Sequence, residues 1–322
     1  MKKILSGVQP SGVIHLGNYL GALRQHIEMQ KNFECYLFIA DLHALTTVKD
    51  AELMRKYTYE LAVSYLALGL DPQKTIFFKQ SDVQQHAELC WIFDCITKMP
   101  YLERAHAWKD AKEKGNKETS VGLFNYPILQ AADILLYSPD LVPVGKDQKQ
   151  HIEMSRDIAQ NFNQIFGETF KIPEPFIKEE VATVLGTDGQ KMSKSYKNTI
   201  DIFAEENVLK KQVMSIVTDS TPIEEPKDPE KCNVYNIYKL IADKEETKEL
   251  AQKYKKGGFG YGDAKKLLLN KILEQFKEAR ENYKNIYPKK DYVYGILEEG
   301  GKKAKKIAEA KLIEVKKKIG YL

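Results

Sequence analysis

"SGVQPSGVIHLGNYLGA", Ser6 to Ala22, contains a strand end, a turn and a helix start in one short stretch. The residues before it, "KKILSG", read as a strand, and Pro10, Ser11 and Gly12 interrupt it. From there Leu16, Leu20, Leu23 and Ile27 recur on one helical face. The same alternation repeats downstream. "CYLFIAD" is a continuous apolar run, as expected of a strand buried on both faces. "DAELMRKYTYELAVSYLALGL" is a long amphipathic helix, with Asp50 placed to cap its start and Gly69 near its end. "KTIFFKQS" is a third strand, and "AADILLY" and "DLVPVGKDQ" lead into a further helix, "KQHIEMSRDIAQNFNQIF". Strand and helix in alternation predict an α/β fold, a Rossmann-like parallel sheet with helices on both faces. In such sheets ligands bind at the carboxyl ends of the strands.

The chain has 322 residues, a soft prior for two domains. From about Ile202 onward only helical periodicity remains, interrupted by the glycines of "KKGGFGYGD". The expected division is a catalytic domain over 1–197, an all-helical domain over 198–290, and terminal helices over 291–322 that pack back on the first domain. With 43% hydrophobic and 29% charged residues the composition is that of an ordinary globular protein. No apolar run approaches the roughly 20 residues that span a bilayer. "MKKILSGVQPSG" lacks the long apolar core of a secretory signal, so a cytoplasmic protein with no membrane partner is expected. Cys35, Cys90, Cys95 and Cys232 match no zinc spacing and read as plain buried or half-buried thiols. The net charge of +4 is mild, but "GKKAKKIAEAKLIEVKKKIG" has eight lysines against two glutamates. Such a run is a solvated helix face or a contact for a nucleic-acid backbone.

Three places carry chemistry. At Ser6–Ala22, glycines let the backbone approach a ligand, and a helix N-terminus near Gly17 offers N–H groups that suit phosphate, with His15 and Asn18 at the same end. In "AADILLYSPDLVPVGKDQKQHIE", Asp133 sits in an apolar segment, where a carboxylate is costly unless something donates to it. Either a structural partner or a ligand with an N–H satisfies that need. Gly145, Asp147 and Gln148 fall between a strand end and the next helix, at the ligand rim. In "GQKMSKSYKN", Gly189 to Asn198, two lysines flank a serine with no apolar periodicity around them. Lys191 and Lys194 are either solvated charge or a clamp for a polyanion.

Together these stretches resemble a known family. "HLGN" at 15–18 is similar to the HIGH motif of class I aminoacyl-tRNA synthetases, and "KMSKS" at 191–195 matches their other signature letter for letter. More narrowly, "SGVQPSGVIHLGNYLGA", "YPILQAADILLY" and "VPVGKDQKQHIEMSRDIA" resemble tryptophanyl-tRNA synthetases along nearly the whole chain. The resemblance implies activation of L-tryptophan by ATP with Mg2+, release of pyrophosphate, and transfer of tryptophan to its tRNA. It implies no covalent enzyme intermediate and no metal held by the protein itself. A tyrosine-type synthetase and a catalytically silent RNA-binding paralogue are the alternatives.

By the same resemblance, His15, Lys191, Ser193 and Lys194 carry the catalytic roles, the lysines and serine meeting the phosphates. ATP would contact Gln9, Pro10, Ser11, Gly17, Asn18, Gly145, Lys146, Asp147, Val184, Met192 and Ser195 as well. Asp133 would accept the indole N–H, with Gly7, Gln9, His43, Tyr126, Val144 and Gln148 completing the pocket. The chain departs from the family in places. Leu5 stands where a phenylalanine often packs on the indole, Gln130 where some members carry Met, and Lys146 where Glu is common. "AHAWKDAKEKGNKE" departs from the usual Q-F-K-x-K-S; Lys109 remains, and Lys112 is the candidate for a second lysine. The helical domain is expected to read the anticodon, with Tyr235 and Tyr238 as stacking or packing residues, and the enzyme to be a homodimer.

Overall fold

The computed structural model describes residues 1–105, 108–109, 119–145, 148–176 and 183–322. Five parallel strands form one sheet: β1 (Lys3–Val8), β2 (Glu34–Ile39), β3 (Thr75–Lys79), β4 (Leu141–Pro143) and β5 (Glu174–Phe176). Their order is β3-β2-β1-β4-β5. The order reverses between β1 and β4, and the strand ends on either side of that point open a crevice. β1 and β2 pair in register from Lys3 opposite Glu34 to Val8 opposite Ile39. The continuous apolar run of β2 is buried on both faces because helices cover both.

The helix after β1, here α1, runs without a break through Leu16–Asn18, a π-helical stretch Tyr19–Leu23, and Arg24–Met29. Leu16, Leu20 and Leu23 are buried, as their spacing predicts. α2 (Ala51–Ala67) is capped by Asp50, whose side chain accepts from the amides of Glu52 and Leu53. Gly69 follows its end at φ +101°, a conformation that favours glycine. α4 (Tyr126–Leu135) packs between α3 (Gln85–Asp94) and α5 (Lys149–Phe166), over one face of the sheet.

Beyond residue 200 the described chain is helical: α6 (Glu206–Met214), α7 (Asn233–Tyr238), α8 (Lys244–Lys256), α9 (Tyr261–Gln275), α10 (Lys277–Ile286) and α11 (Lys290–Lys318). Tyr235 and Tyr238 are buried in this region's core, so they pack helices together and do not present rings to a base. Lys227 is buried as well, and its ammonium donates to the carbonyls of Pro222, Ile223 and Glu225. Of the cysteines, Cys35 and Cys232 are buried and Cys90 half-buried, but Cys95 is exposed because it faces outward past the end of α3.

α11 returns to the sheet and packs against β3, which is an edge strand. Val293 and Leu297 join one core, and Ala304, Ala308, Leu312 and Val315 join the core on the other side. Gly300 and Gly301 lie at the crossing. A Cβ on Gly300 would stand 1.8 Å from the carbonyl oxygen of Phe77. Only glycine lets the helix lie so close to the strand edge, which it covers as sheet edges need to be covered. Two lysines of the basic run fasten the helix: Lys316 pairs with Glu88 at 2.6 Å, and Lys311 donates to the carbonyl of Thr169 at 3.0 Å. Lys302, Lys303, Lys305 and Lys306 remain on the exposed side. Among the described residues no helix is long and apolar enough to cross a membrane.

Candidate active site

A cavity of about 220 Å³ opens where the strand order reverses. The end of β1 supplies Leu5, Gly7 and Gln9; β4 and the turn after it supply Val142, Val144 and Gly145; and α4 supplies Tyr126, Gln130 and Asp133. His43 and Gln148 complete the wall. All seven residues expected around an indole therefore meet in one cavity. Leu5 lines the cavity, and so does Phe38 of β2, an aromatic ring that the sequence reading did not name. The Phe38 ring lies where a Cβ on Gly7 would be, at 2.4 Å, so glycine at position 7 lets the ring reach the wall. Tyr126 stacks obliquely on His43, ring centroids 4.3 Å apart, and its hydroxyl receives the Gln9 side-chain amide at 3.3 Å. His151 Nδ1 meets Gln148 Oε1 at 2.8 Å and so holds Gln148 at the rim.

Asp133 is 1% exposed. Its Oδ2 lies 2.8 Å from His43 Nε2. Its Oδ1 receives Gln80 Nε2 at 2.7 Å and lies 2.6 Å from His86 Nδ1. Burial alone pushes a carboxyl group up, but the hydrogen bonds from His43 and His86 outweigh it and bring Asp133 down to about 2. The carboxylate is ionised, buried and bordering the cavity. Structural partners therefore hold it, and it still faces the space where a ligand N–H would sit. Gln80 directly follows β3, and His86 lies in the first turn of α3. No spacing in the sequence ties them to Asp133, which is why sequence reasoning missed them.

A second cluster lies beside the cavity mouth. His15 caps α1, its Nδ1 accepting from the Asn18 amide at 3.3 Å while Asn18 Oδ1 accepts from the His15 amide at 3.2 Å. The two outer letters of "HLGN" thus form a capping box. Burial, aided by the charge of Lys194, lowers His15 to about 4, so its ring is neutral. The helix amides expected to be open for phosphate are occupied here. Leu16 donates to the carbonyl of Ile200 at 2.8 Å, and Gly17 to the sulfur of Met192 at 3.3 Å. Both partners belong to the lysine loop or the chain just after it, so the loop itself covers the helix end.

Within that loop Asn198, 2% exposed, is the fastener. Its Oδ1 receives the Ser193 amide at 2.7 Å, and its Nδ2 donates to Asp188 at 2.7 Å and to the carbonyl of Lys191 at 3.2 Å. The sequence reading passed over it because an asparagine after lysine reads as an ordinary turn. Lys194 Nζ reaches Ser11 Oγ at 3.5 Å and lies beside Gly12. Burial lowers Lys194 to about 8, with Asp201 and Glu60 acting in the opposite direction. Lys191 and Ser195 are exposed at the loop surface. Val184 is buried, and its carbonyl accepts from the Met192 amide at 2.8 Å, so it braces the loop from behind. Pro10 is buried. Lys109 lies among the described residues; Lys112, Lys146 and Asp147 lie outside them.

This geometry has counterparts. The model of the class I tRNA synthetases for tryptophan and tyrosine (W and Y) matches residues 1–277. A tryptophan–tRNA ligase of Fusobacterium nucleatum is 52% identical over 100% of this chain and 99% of its own length. The chain belongs to the tryptophan–tRNA ligases. The tryptophanyl-tRNA synthetase of Campylobacter jejuni, solved with ADP and tryptophan, superposes with a TM-score of 0.91 at 50% identity, covering 99% of both chains. That of Mycoplasma pneumoniae superposes at 0.83 with 29% identity over 99% of this chain and 98% of its own. Membership makes the chain an aminoacyl-tRNA synthetase of class I fold, and the tryptophan–tRNA ligases are the frame for its cavity and lysine loop.

Proposed function

We propose that this chain binds L-tryptophan in the cavity at the strand reversal and ATP across the neighbouring cluster, and joins tryptophan to its tRNA in two steps. The observation that carries the site assignment is the ionised, buried Asp133 on the wall of a cavity otherwise lined largely by apolar and aromatic groups. An indole fills such a wall and offers one N–H. Phenylalanine lacks that donor, and rejection of a ligand that leaves a buried polar group unpaired reaches about 10⁴-fold.

In the first step a carboxylate oxygen of tryptophan attacks the α-phosphorus of ATP. The bond from that phosphorus to the bridging oxygen breaks, and pyrophosphate leaves with the electron pair. Catalysis is positioning and charge stabilisation. Lys191, Ser193 and Lys194 neutralise the departing pyrophosphate, while neutral His15, Gly17 and Asn18 orient the nucleotide once the lysine loop lifts from the helix end that it covers here. Gln9, Pro10, Ser11, Val184, Met192 and Ser195 line the nucleotide side, as do Gly145, Lys146 and Asp147. Magnesium enters on the triphosphate as part of the substrate. Among the described residues no group of three His, Cys, Asp or Glu gathers to hold a metal. In the second step a terminal ribose hydroxyl of the tRNA attacks the adenylate carbonyl and AMP leaves.

The helical region over 198–290 is proposed to meet the anticodon, and the working enzyme to be a homodimer. Trp91 on α3 and Met99 just after it are 68% and 61% exposed, apolar surface of the kind that a second copy would cover. The test of the function is amino-acid-dependent ATP–pyrophosphate exchange with each standard amino acid. Exchange with tryptophan alone is expected; exchange with tyrosine would overturn the assignment of the cavity.

A further inference from the structure

Asp133 has more partners than a ligand-binding carboxylate needs, and they are unevenly shared between its oxygens. Each carboxylate oxygen has two in-plane lone pairs. Both on Oδ1 are used, by Gln80 at 2.7 Å and by His86 at 2.6 Å. On Oδ2 only one is used, by His43 at 2.8 Å. Among the described residues' hydrogen bonds, that leaves the second lone pair of Oδ2 for an incoming donor.

His86 does not line the cavity, and it is 0% exposed. It acts from behind. Its second nitrogen, Nε2, lies 2.9 Å from the hydroxyl of Tyr137. Burial, with the charge of Asp133, holds that phenol well above its ordinary range, so it keeps its proton and can donate. A proton donated to Nε2 leaves the ring's own proton on Nδ1, facing Asp133. The network thereby assigns the tautomer. The ring cannot turn away, because Phe38, Phe78 and Tyr137 surround it at centroid distances of 6.0, 6.3 and 5.6 Å.

We propose that His86, oriented by Tyr137, is a positioning residue for tryptophan recognition: it occupies Oδ1 so that the cavity sees a single open acceptor, the second lone pair of Asp133 Oδ2. The proposal rests on the reading of this cavity as the tryptophan site. Without His86 the carboxylate is free to rotate, and water or the ligand itself can meet either oxygen. Selection for a ring N–H then weakens while the apolar wall still binds an indole-shaped group.

The experiment is pyrophosphate exchange with tryptophan and with benzothienylalanine, in which sulfur replaces the ring N–H. It compares the unaltered protein with His86→Leu, His86→Asn and Tyr137→Phe. The readout is the ratio of kcat/KM between the two amino acids, with the KM for ATP measured alongside. Loss of one charge-assisted hydrogen bond corresponds to about tenfold or more. His86→Leu is therefore expected to lower the ratio by about tenfold, through KM for tryptophan, and to leave the KM for ATP within about twofold. The amide of His86→Asn reaches the place of Nδ1 and restores most of the ratio. Tyr137→Phe, nearly isosteric, lowers it by a smaller factor and keeps the test open if His86→Leu does not fold. An equal loss with both amino acids, or an Asn variant no better than Leu, overturns the proposal. Absence of exchange with tryptophan in the unaltered protein would instead overturn the site reading beneath it.

Discussion

At the scale of single residues the site is governed by which groups are charged. Asp133 is held ionised by its neighbours, so replacing it by an isosteric amide removes the charge and forces an N–H against His43 or His86. A charge-assisted hydrogen bond is worth about 1.5–3 kcal/mol. Asp133→Asn is therefore expected to lower kcat/KM for tryptophan by roughly 10- to 150-fold, with the KM for ATP nearly unchanged, as exchange kinetics would check. Lys194 responds to pH. Its pKa lies below the usual lysine range, at about 8, so its positive charge is present below that pH and is lost as pH rises through it. Affinity for ATP is expected to weaken between about pH 8 and 9, and an ATP KM measured across that range that stays flat would exclude Lys194 as a phosphate contact. His15, lowered to about 4, stays neutral throughout and adds no inflection. Asn198 ties the lysine loop to itself with three hydrogen bonds. Asn198→Ala should raise the KM for ATP and lower kcat, because it releases the amide of Ser193 and the carbonyl of Lys191 together.

At the scale of elements, α11 and β3 make a test by paired substitutions. Gly300 meets the Phe77 carbonyl, whereas Gly295, in the same helix, has nothing within 4 Å of an added Cβ. Gly300→Ala should destabilise by about 1–3 kcal/mol or more, since backbone cannot give way as a flexible side chain does. Gly295→Ala should stabilise by up to about 1 kcal/mol. Urea unfolding of the two variants checks both signs. The pair also marks what was legible in the sequence. β1, β2 and β3 and the helices between them could be read directly, because long apolar runs and capped amphipathic repeats are local signals. β5 could not, being three residues long with only a partly buried pattern. The seven residues of the cavity wall were found because the family's motifs mark them, but Gln80, His86 and Phe38 were not. Their roles depend on which strands become neighbours, and local periodicity carries no record of that. Tyr235 and Tyr238 illustrate the converse, since aromatic residues on a helix look alike whether they stack on a base or fill a core.

At the scale of the whole molecule, one core runs from α1 and α2 through the lysine loop into α6, α7 and α9. The nucleotide side of the site is thus built on the seam between sheet and helices, where Leu16 and Gly17 meet Ile200 and Met192. α11 closes the other side of the molecule. A chain ending before residue 290 leaves β3 open along its length and both cores partly uncovered. Such a truncation is expected to bind hydrophobic dyes and to aggregate, where a soluble truncated protein with full exchange activity would show that α11 is dispensable. The cover on β3 also sets a waiting time. β3 ends at Lys79 and its helix does not begin until Lys290. At synthesis rates of about 5–20 residues per second, that interval lasts roughly ten to forty seconds. During it each growing chain trails an unfinished edge, with others like it a short distance away on the same messenger. Slower translation lengthens that interval, and a cell short of charged tRNA would make this protein with its edge open longest.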